Sequence, residues 1–320
     1  MRKNNVLLLS LVALFLIWAL SSCVIYCSNC GCHFNSKYER EVQLETDMCD
    51  GLTFAAQTSH SYLHIWGIDE NHCYVTAHIR VQADTEEKAK EVAEKVTVDL
   101  EKSANRVTTV VQKPKVPYKY QVFVSYEVKL PRKTSVELET THDPIECRNL
   151  LGNVVASTTH APIVCENIVG NLNLTTTHDP IRLSHITGQI KARTSHDPIE
   201  AEYITGPLDL QTSHDRIRCT NLNTERLKAR TTHDNVEISF TSMNDPEIDA
   251  DISTSHGHIV FHLPDGFKGS LSMSTSHGKV RTGVPLTVKG EISEKFISGT
   301  IGEGKGTIRL KTTHGSINLK

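Results

Sequence analysis

The sequence is poor in aromatic residues and carries almost no excess charge, and each shortage argues against a class of function. Of its 320 residues only 6% are aromatic, too few for a carbohydrate-stacking surface to be evident. The formal net charge is -3 and the isoelectric point is about 6.6. Because nucleic-acid binding requires a basic patch, the sequence predicts no nucleic-acid partner.

The sequence contains instead one short motif that is repeated at a fixed period. The motif T-[TS]-H-[DA]-x-[IV] occurs six times between residues 140 and 236, and its histidines are 18, 18, 18, 18 and 19 residues apart. They are His142, His160, His178, His196, His214 and His233. Such a period is typical of a solenoid, in which each repeat forms one coil that cannot bury its apolar face alone.

Each coil contains two short segments in which buried and exposed positions alternate. Between residues 181 and 195 these segments flank Gly188, which indicates two strands joined by a bend. Four inward columns recur, mostly filled by β-branched residues, as a pleated buried surface favours. They are Ile145, Ile163, Ile181, Ile199, Ile217 and Val236; Cys147, Cys165, Leu183, Ala201, Cys219 and Ile238; Leu150, Ile168, Ile186, Ile204 and Leu222; and Val154, Leu172, Ile190, Leu208 and Leu227.

The predicted fold is therefore mainly β: a single-stranded parallel β-helix, or β-solenoid, of about 18-residue coils. A left-handed hexapeptide helix needs an aliphatic residue at every sixth position, which the spacing of Ile181, Ile186 and Ile190 violates. Helical repeats need longer units with amphipathic helices.

The N-terminus carries the features of an export signal. Arg2 and Lys3 precede an apolar run from Val6 to Leu20, and small residues lead to Cys23. The phrase Leu-Ser-Ser-Cys resembles a bacterial lipobox, which implies cleavage of residues 1–22 as a signal peptide and lipidation of Cys23. The alternative is an uncleaved single transmembrane anchor, extended to about 20 apolar residues by residues 24–26.

The cysteines of the exported chain leave several pairings open. Residues 23–38 are predicted to be a Cys-rich, lipid-anchored tether, and within it C-x2-C-x-C-H ends at His33. That cluster is either a small metal clip or an ordinary tether. Cys147 and Cys165 lie in one inward column on adjacent coils, so they form either a disulfide or two small core residues. Cys49 and Cys73 are a further candidate pair.

Residues 39–132 are predicted to be an N-terminal β/α cap for the solenoid repeats of residues 133–320. His60 belongs to an early copy of the motif, so one or two coils begin there. A helix is expected from Asp84 to about Ser103, with strands on either side at residues 72–82, 106–112 and 120–130. A cap is needed because an exposed strand edge recruits other chains.

After Val236 the motif spacing loosens to 23, 21 and 37 residues, and Gly replaces Asp after the histidine. The late histidines are His256, His277 and His314. We expect the 37-residue gap to hold a coil that has lost its motif at residues 295–300. With Lys133 as the start, roughly ten stacked coils would make a rod of about 45–50 Å.

This pattern resembles the bacterial putative adhesin family, a group of β-strand-repeat domains of unknown function. The phrases that carry the resemblance are TSHGKV, TTHGSI, ENIVG at residues 166–170 and the closing FISGTIGEGKGTIRLKTTHGSINL. The resemblance covers about residues 40–320, and it implies a β-helix-like fold and a surface or envelope setting. Most copies depart from the family pattern because Asp-Pro stands where Gly is usual.

The six motif histidines are interpreted as a structural ladder, because repetition in every coil suits architecture better than catalysis. By alternation they are expected to continue the inward columns to a corner. The alternative is that stacked imidazoles bind metal ions. The acidic column at Asp143, Asp179, Asp197, Asp215 and Asp234 is interpreted as turn residues rather than as a glycosidase pair.

The sequence thus predicts a non-enzymatic, exported and membrane-tethered β-solenoid that acts as an adhesin or as a cell-envelope scaffold and binding module. It predicts no catalytic residue, no cofactor and no assigned metal site. Its partners would be the membrane, through the N-terminal lipid anchor, and a surface ligand that is a glycan or a protein. The alternatives are an envelope metal-binding protein and a polysaccharide-acting β-helix protein.

Overall fold

The computed structural model describes residues 36–243, 246–288 and 292–320. The predicted signal peptide, the lipidation site Cys23 and the cluster of Cys27, Cys30, Cys32 and His33 lie outside the described residues. Within the described ranges, no helix has the length and apolar character needed to cross a bilayer.

The described residues from 36 to 131 form seven strands and one helix. They are β1 (Ser36–Asp47), β2 (Thr53–Gln57), β3 (Leu63–Ile68), β4 (His72–Ala83), α1 (Glu86–Glu94), β5 (Thr97–Lys102), β6 (Arg106–Gln112) and β7 (Gln121–Pro131).

The regular body follows, with two strands in each coil. They are β8 (Ser135–Glu139), β9 (Ile145–Leu150), β10 (Val154–Ser157), β11 (Ile163–Val169), β12 (Leu172–Thr175), β13 (Ile181–Thr187), β14 (Ile190–Arg193), β15 (Ile199–Thr205), β16 (Leu208–Gln211), β17 (Ile217–Leu222), β18 (Arg226–Arg230) and β19 (Val236–Phe240).

The C-terminal part completes the stack. Its strands are β20 (Asp249–Ser253), β21 (Ile259–Phe261), β22 (Gly269–Thr275), β23 (Val280–Thr282), β24 (Thr287–Val288), β25 (Phe296–Ile301), β26 (Gly306–Thr312) and β27 (Ile317–Leu319).

Two sheets face each other across one core, which confirms the β-solenoid. The first sheet runs β1-β4-β7-β3-β9-β11-β13-β15-β17-β19-β21-β27-β23, and the second runs β24-β25-β22-β26-β20-β18-β16-β14-β12-β10-β8-β2-β6-β5. Adjacent coils pair in parallel and in the register of the repeat, with Ile181 opposite Ile163 on one side and Ile199 on the other. All four predicted inward columns are buried.

Each coil bends where the sequence predicts. At Gly188 the backbone has φ +147°, and an added Cβ would lie 2.1 Å from the carbonyl oxygen of Gly170 in the preceding coil. Glycine is therefore required at this corner by close stacking of backbone on backbone. A second bend, for which the repeat gives no signal, occurs inside the first strand, where His185 adopts φ +55°.

The N-terminal end confirms an early coil and corrects the helix. The pair β2–β3 forms a coil against β8–β9, and β6–β7 forms another beyond it. The helix begins after the N-cap Thr85, whose side chain accepts a hydrogen bond from the Lys88 amide, and it ends at Glu94 rather than near Ser103. Residues 97–102 instead form β5, since Thr97 and Val98 favour a strand.

At the C-terminal end the prediction of a coil that has lost its motif is wrong. Residues 296–301 are not a coil without its motif, because β25 runs antiparallel to β22 and ends the second sheet together with β24. The last coil, β26–β27, lies between β20–β21 and β22–β23. Antiparallel strands thus end the second sheet here, and β1, β4 and β5 end both sheets at the other end of the stack, whereas the first sheet ends here at β23, parallel to β27.

The cysteines of the described residues are free thiols: Cys49, Cys73, Cys147, Cys165 and Cys219. Cys147 and Cys165 are register partners in the buried column, as predicted, and remain thiols there. A hydrogen bond with Cys165, together with burial, raises the pKa of the Cys147 thiol. Burial alone raises the pKa of Cys73 and Cys219 to about 12.

Candidate functional site: the histidine edge

One corner of the solenoid carries a continuous stack of ten imidazole rings, which we call the histidine edge. Neighbouring ring centroids are 4.0–5.2 Å apart and the ring planes agree within 11°. The spatial order is His60, His142, His160, His178, His196, His214, His233, His256, His314 and His277. The inserted last coil places His314 before His277.

The six histidines singled out from the sequence are consecutive members of this stack. The other four belong to the early and late copies of the motif, so their signal was present, but their order depends on coil insertion. The stack ends at His60, which meets the ring of Phe123 edge-on at 6.3 Å. Phe123 lies outside the repeats, and no periodic signal marks it.

The histidines point outward, which corrects the expectation that they continue the inward columns. In the coil that contains His196, Thr194 is buried, Ser195 is half-buried and His196 is exposed. The alternation of the strand continues through Thr194, one residue beyond the end of β14 at Arg193, and is lost at His196. The tight turn that follows rotates the imidazole to the outside.

Backbone hydrogen bonds hold the rings in place. The carbonyl oxygen of Thr177 accepts from the amide of His196 at 3.0 Å and lies 3.1 Å from its Nδ1. Nδ1 has the same relation to a carbonyl of the neighbouring coil in His214, His233 and His277. Because a carbonyl oxygen can only accept, Nδ1 carries the hydrogen, and Nε2 keeps its lone pair in the neutral ring.

Beneath the rings runs a buried column of threonines, the first residue of each motif. Thr194 Oγ1 donates to the carbonyl oxygen of Asp179 at 3.2 Å, and Thr212 Oγ1 does the same to Asp197 at 3.1 Å. Each bond ties the start of one turn to the turn of the coil before it. Thr158 departs from this pattern, since its buried hydroxyl has no hydrogen-bond partner.

Beside the rings runs the aspartate column. Partial burial raises the pKa of Asp197, the neighbouring carboxylates of Asp179 and Asp215 raise it further, and His196 and His178 act in the opposite direction. In the late coils an added Cβ at Gly257 would lie 1.9 Å from the carbonyl oxygen of Asp234, so that turn has no room for a side chain. The change from Asp to Gly therefore reflects closer backbone packing.

The geometry of the stack bears on metal binding. Two imidazoles that share one zinc ion at 2.0–2.1 Å need nitrogens no more than about 4.2 Å apart. Rings that are parallel and mostly 4.5 Å or more apart direct their lone pairs side by side rather than toward one point. Within the described ranges, no group of three or more His, Cys, Asp or Glu side chains is arranged to hold a metal ion.

Fold and edge together define a β-solenoid with a periodic polar corner. The chain belongs to the Toastrack DUF4097 family, whose model matches residues 68–320. This match confirms the family resemblance seen in the sequence. No curated protein matches the chain.

Several crystal structures are similar to this chain. A putative cell adhesion protein from Clostridium sporogenes ATCC 15579 has 12% identity and a TM-score of 0.22, over 89% of this chain and 99% of that one. A putative adhesin from Bacteroides fragilis NCTC 9343 has 9% identity and a TM-score of 0.30, over 88% of this chain and 97% of that one. A putative lipid binding protein from Parabacteroides distasonis ATCC 8503 has 10% identity and a TM-score of 0.36, over 88% of this chain and 96% of that one. All three TM-scores are below 0.5, so the fold assignment rests on the family match and the strand register.

Proposed function

We propose that this chain is a non-enzymatic binding module of the cell envelope, an adhesin or scaffold that contacts its partner along the histidine edge. The observation that carries the proposal is the stack itself, ten exposed and aligned rings on one corner. A surface repeated in every coil offers many equivalent weak contacts, which gives avidity toward a repetitive partner. A catalytic site, in contrast, needs one singular arrangement.

A binding screen with residues 36–320 tests this role against immobilised glycans and matrix proteins. We expect at least one ligand whose binding falls at least tenfold when His178, His196 and His214 are all replaced by Asn. The matched control is His185→Asn, which changes a histidine on a different corner, where φ is +55° and Asn is well tolerated. Equal binding by the triple variant and the control would show that the edge is not the contact surface.

Export and tethering are part of the proposal and rest on the sequence of residues 1–23. We expect Cys23→Ser to release the protein from membranes, because the serine variant has no thiol to which the lipid can be attached. If the variant still sediments with membranes, the uncleaved anchor is the better account.

Metal binding along the edge is the second candidate, and the hydrogen bonds of Nδ1 favour it. Ligating histidines usually donate the other ring N–H to a carbonyl or carboxylate, as His196 and His214 do here. Zinc or copper retained in stoichiometric amount by the purified body, and lost in the triple variant, would support this function. The parallel spacing of the rings leads us to expect weak, substoichiometric binding instead.

A further inference from the structure

The outer face of the first sheet at its N-terminal end differs from the repetitive body. Strands β1, β4, β7, β3 and β9 are neighbours there. Their outward side chains, with Tyr62 immediately before β3, form a surface that we call the cap face, defined by Glu41, Gln43, Glu45, Tyr62, His64, Trp66, Tyr74, Thr76, His78, Glu127, Lys129 and Glu146. The cap face occurs once in the molecule, whereas the histidine edge recurs in every coil.

The cap face gathers aromatic side chains that are scattered in the sequence. The Tyr62 ring stacks on His64 with centroids 4.5 Å apart, and Trp66 meets His64 edge-on at 5.7 Å. Tyr74 lies on the neighbouring part of the sheet with 38% of its surface exposed. Because only 6% of the residues are aromatic, the sequence shows no sign of a surface for stacking on sugar rings. The order of the strands in the sheet nevertheless places the rings of Tyr62, Trp66 and Tyr74 on the cap face.

Carboxylates alternate with imidazoles across the same face. Glu41 Oε1 lies 3.2 Å from His78 Nδ1, and Glu127 Oε1 lies 3.8 Å from His78 Nε2. His64 is the register partner of both Glu127 and Glu146, and its Nε2 lies 4.0 Å from Glu146 Oε1. The Nε2 atoms of both histidines are shielded from solvent and have no hydrogen-bond partner.

Carboxylates outnumber cations on the cap face, where Glu41, Glu45, Glu127 and Glu146 accompany Lys129, and Arg80 acts on the pKa of Tyr62 in the direction opposite to the carboxylates. Burial raises the pKa of the Tyr62 hydroxyl, and the charges of Glu127, Glu41 and Glu39 raise it further. Arg148 lies within 4 Å of Glu146 and Glu166, so its charge is already balanced at that side. The strongest field is therefore expected around Glu127, which lies between the two imidazoles.

A depression of about 820 Å³ opens on this face. Its polar lining offers an aromatic ring, an amide, a threonine hydroxyl, three carboxylates and one ammonium, from Tyr74, Gln43, Thr76, Glu45, Glu70, Glu127 and Lys129. The Tyr74 hydroxyl donates to Glu70 Oε2 at 3.0 Å. The volume falls within the range of about 300–1,000 Å³ that ligand sites occupy.

We propose that the cap face binds an amine-bearing glycan, a chain of hexosamine units with free amino groups. The ring of such a sugar would lie against Tyr74, its hydroxyls would bond to Gln43 and Thr76, and its ammonium would pair with Glu127 and Glu45. A glycan with carboxylate or sulfate groups meets the wrong sign of charge. This inference rests on the proposed binding role but not on the histidine edge, which is a different surface.

Calorimetric titration of residues 36–320 with a glucosamine hexamer tests the proposal, and the N-acetylglucosamine hexamer is the comparison ligand. We expect the free-amine hexamer to bind at least tenfold more tightly, because acetylation removes the charge. We also expect its affinity to fall as salt rises from 50 to 500 mM, since surface charges are screened.

Variants locate the site. Glu127→Gln and Tyr74→Ala should each weaken hexamer binding at least tenfold, while Glu303→Gln and Tyr118→Ala, at exposed positions elsewhere, should leave it unchanged. Lys129→Ala removes a positive charge from the lining and should strengthen binding of the amine form about threefold or more. Thermal melting of each variant confirms that the fold is retained.

Three results would overturn the proposal: no binding of the glucosamine hexamer, equal binding of its acetylated form, or equal loss in the control variants. One outcome is that the glucosamine hexamer shows no binding while the screen of glycans and matrix proteins still yields a ligand that depends on the histidine edge. In that case the proposed binding function stands, and the cap face is not a glycan site. If the hexamer binds and the edge-dependent ligand is absent, the cap face alone carries the binding role.

Discussion

At the residue scale, the threonine column offers a direct measure of how much one turn-to-turn hydrogen bond stabilises the stack. Thr194→Val keeps the shape of the side chain but removes the donor to Asp179, so we expect a loss of about 1 kcal/mol. Thr158→Val is the matched control, because the buried hydroxyl of Thr158 has no partner and its removal should be neutral or stabilising. Urea unfolding measures both, and equal losses would contradict the role of the hydrogen bond.

The aspartate column predicts a pH dependence with a definite sign. The folded pKa of Asp197 is raised by burial and by Asp179 and Asp215, so its contribution to stability is present below the unfolded pKa of about 3.9 and is lost as pH rises through the folded value. Asp197→Asn should therefore be more stable than the wild type at pH 7. The gain should stay below about 1 kcal/mol, since solvent screens this partly exposed group.

The measurement for this column is thermal melting of both proteins at pH 7 and near pH 3.5, where the difference should shrink. Asp209→Asn is the control with the opposite expectation, because Asp209 has a cationic neighbour, with Arg193 Nη2 at 3.7 Å from its carboxylate. A variant Asp197→Asn that is less stable at pH 7 would show that attraction to His196 and His178 outweighs repulsion within the column.

At the scale of the element, the corner between two strands of a coil depends on the absence of a side chain. Gly188→Ala would place a Cβ 2.1 Å from the Gly170 carbonyl oxygen at φ +147°, and we expect it to destabilise the fold by about 3 kcal/mol. Gly283→Ala is the control, because its Cβ would approach only the Leu319 carbonyl oxygen, at 3.6 Å. Chemical denaturation compares them, and a mild effect at Gly188 would mean that the coils can separate locally.

The elements that the sequence predicted correctly are those with a local, repeated cause. The columns headed by Ile145 and Leu150 follow from alternation within one coil, and a parallel stack aligns them automatically. The helix end was misplaced because Leu100, which lies in β5, also fits the spacing of the helical face. The direction of the histidines was misjudged because the alternation ends in the turn after Thr194, where the backbone no longer follows the geometry of a strand.

At the scale of the whole molecule, the order of the coils could not be read from the repeat. Both the first and the last motif coils lie inside the stack, β2–β3 beneath β6–β7 and β26–β27 beneath β22–β23. Every coil presents nearly the same edge, so the periodic pattern is equally compatible with insertion and with simple sequential stacking. The cap face was invisible for a related reason, since it joins residues from five strands that are distant in the sequence.

This insertion predicts an unusual response to truncation. In a sequentially stacked solenoid, removal of the last coil exposes one new end and leaves the rest folded. Here a chain that ends at residue 305 lacks β26 and β27, which supply the parallel partners of β22 and β23. We therefore expect residues 264–305 to unfold in that variant, although they are all present. A shorter chain that ends at residue 263 should remain folded up to β21, because it leaves no gap in the stack.

Limited proteolysis distinguishes the two chains: rapid cleavage confined to residues 264–305 of the longer one is the expected result. Protection of that segment would mean that β22 can pair directly with β20, and that the last coil is an addition rather than a link between the two parts.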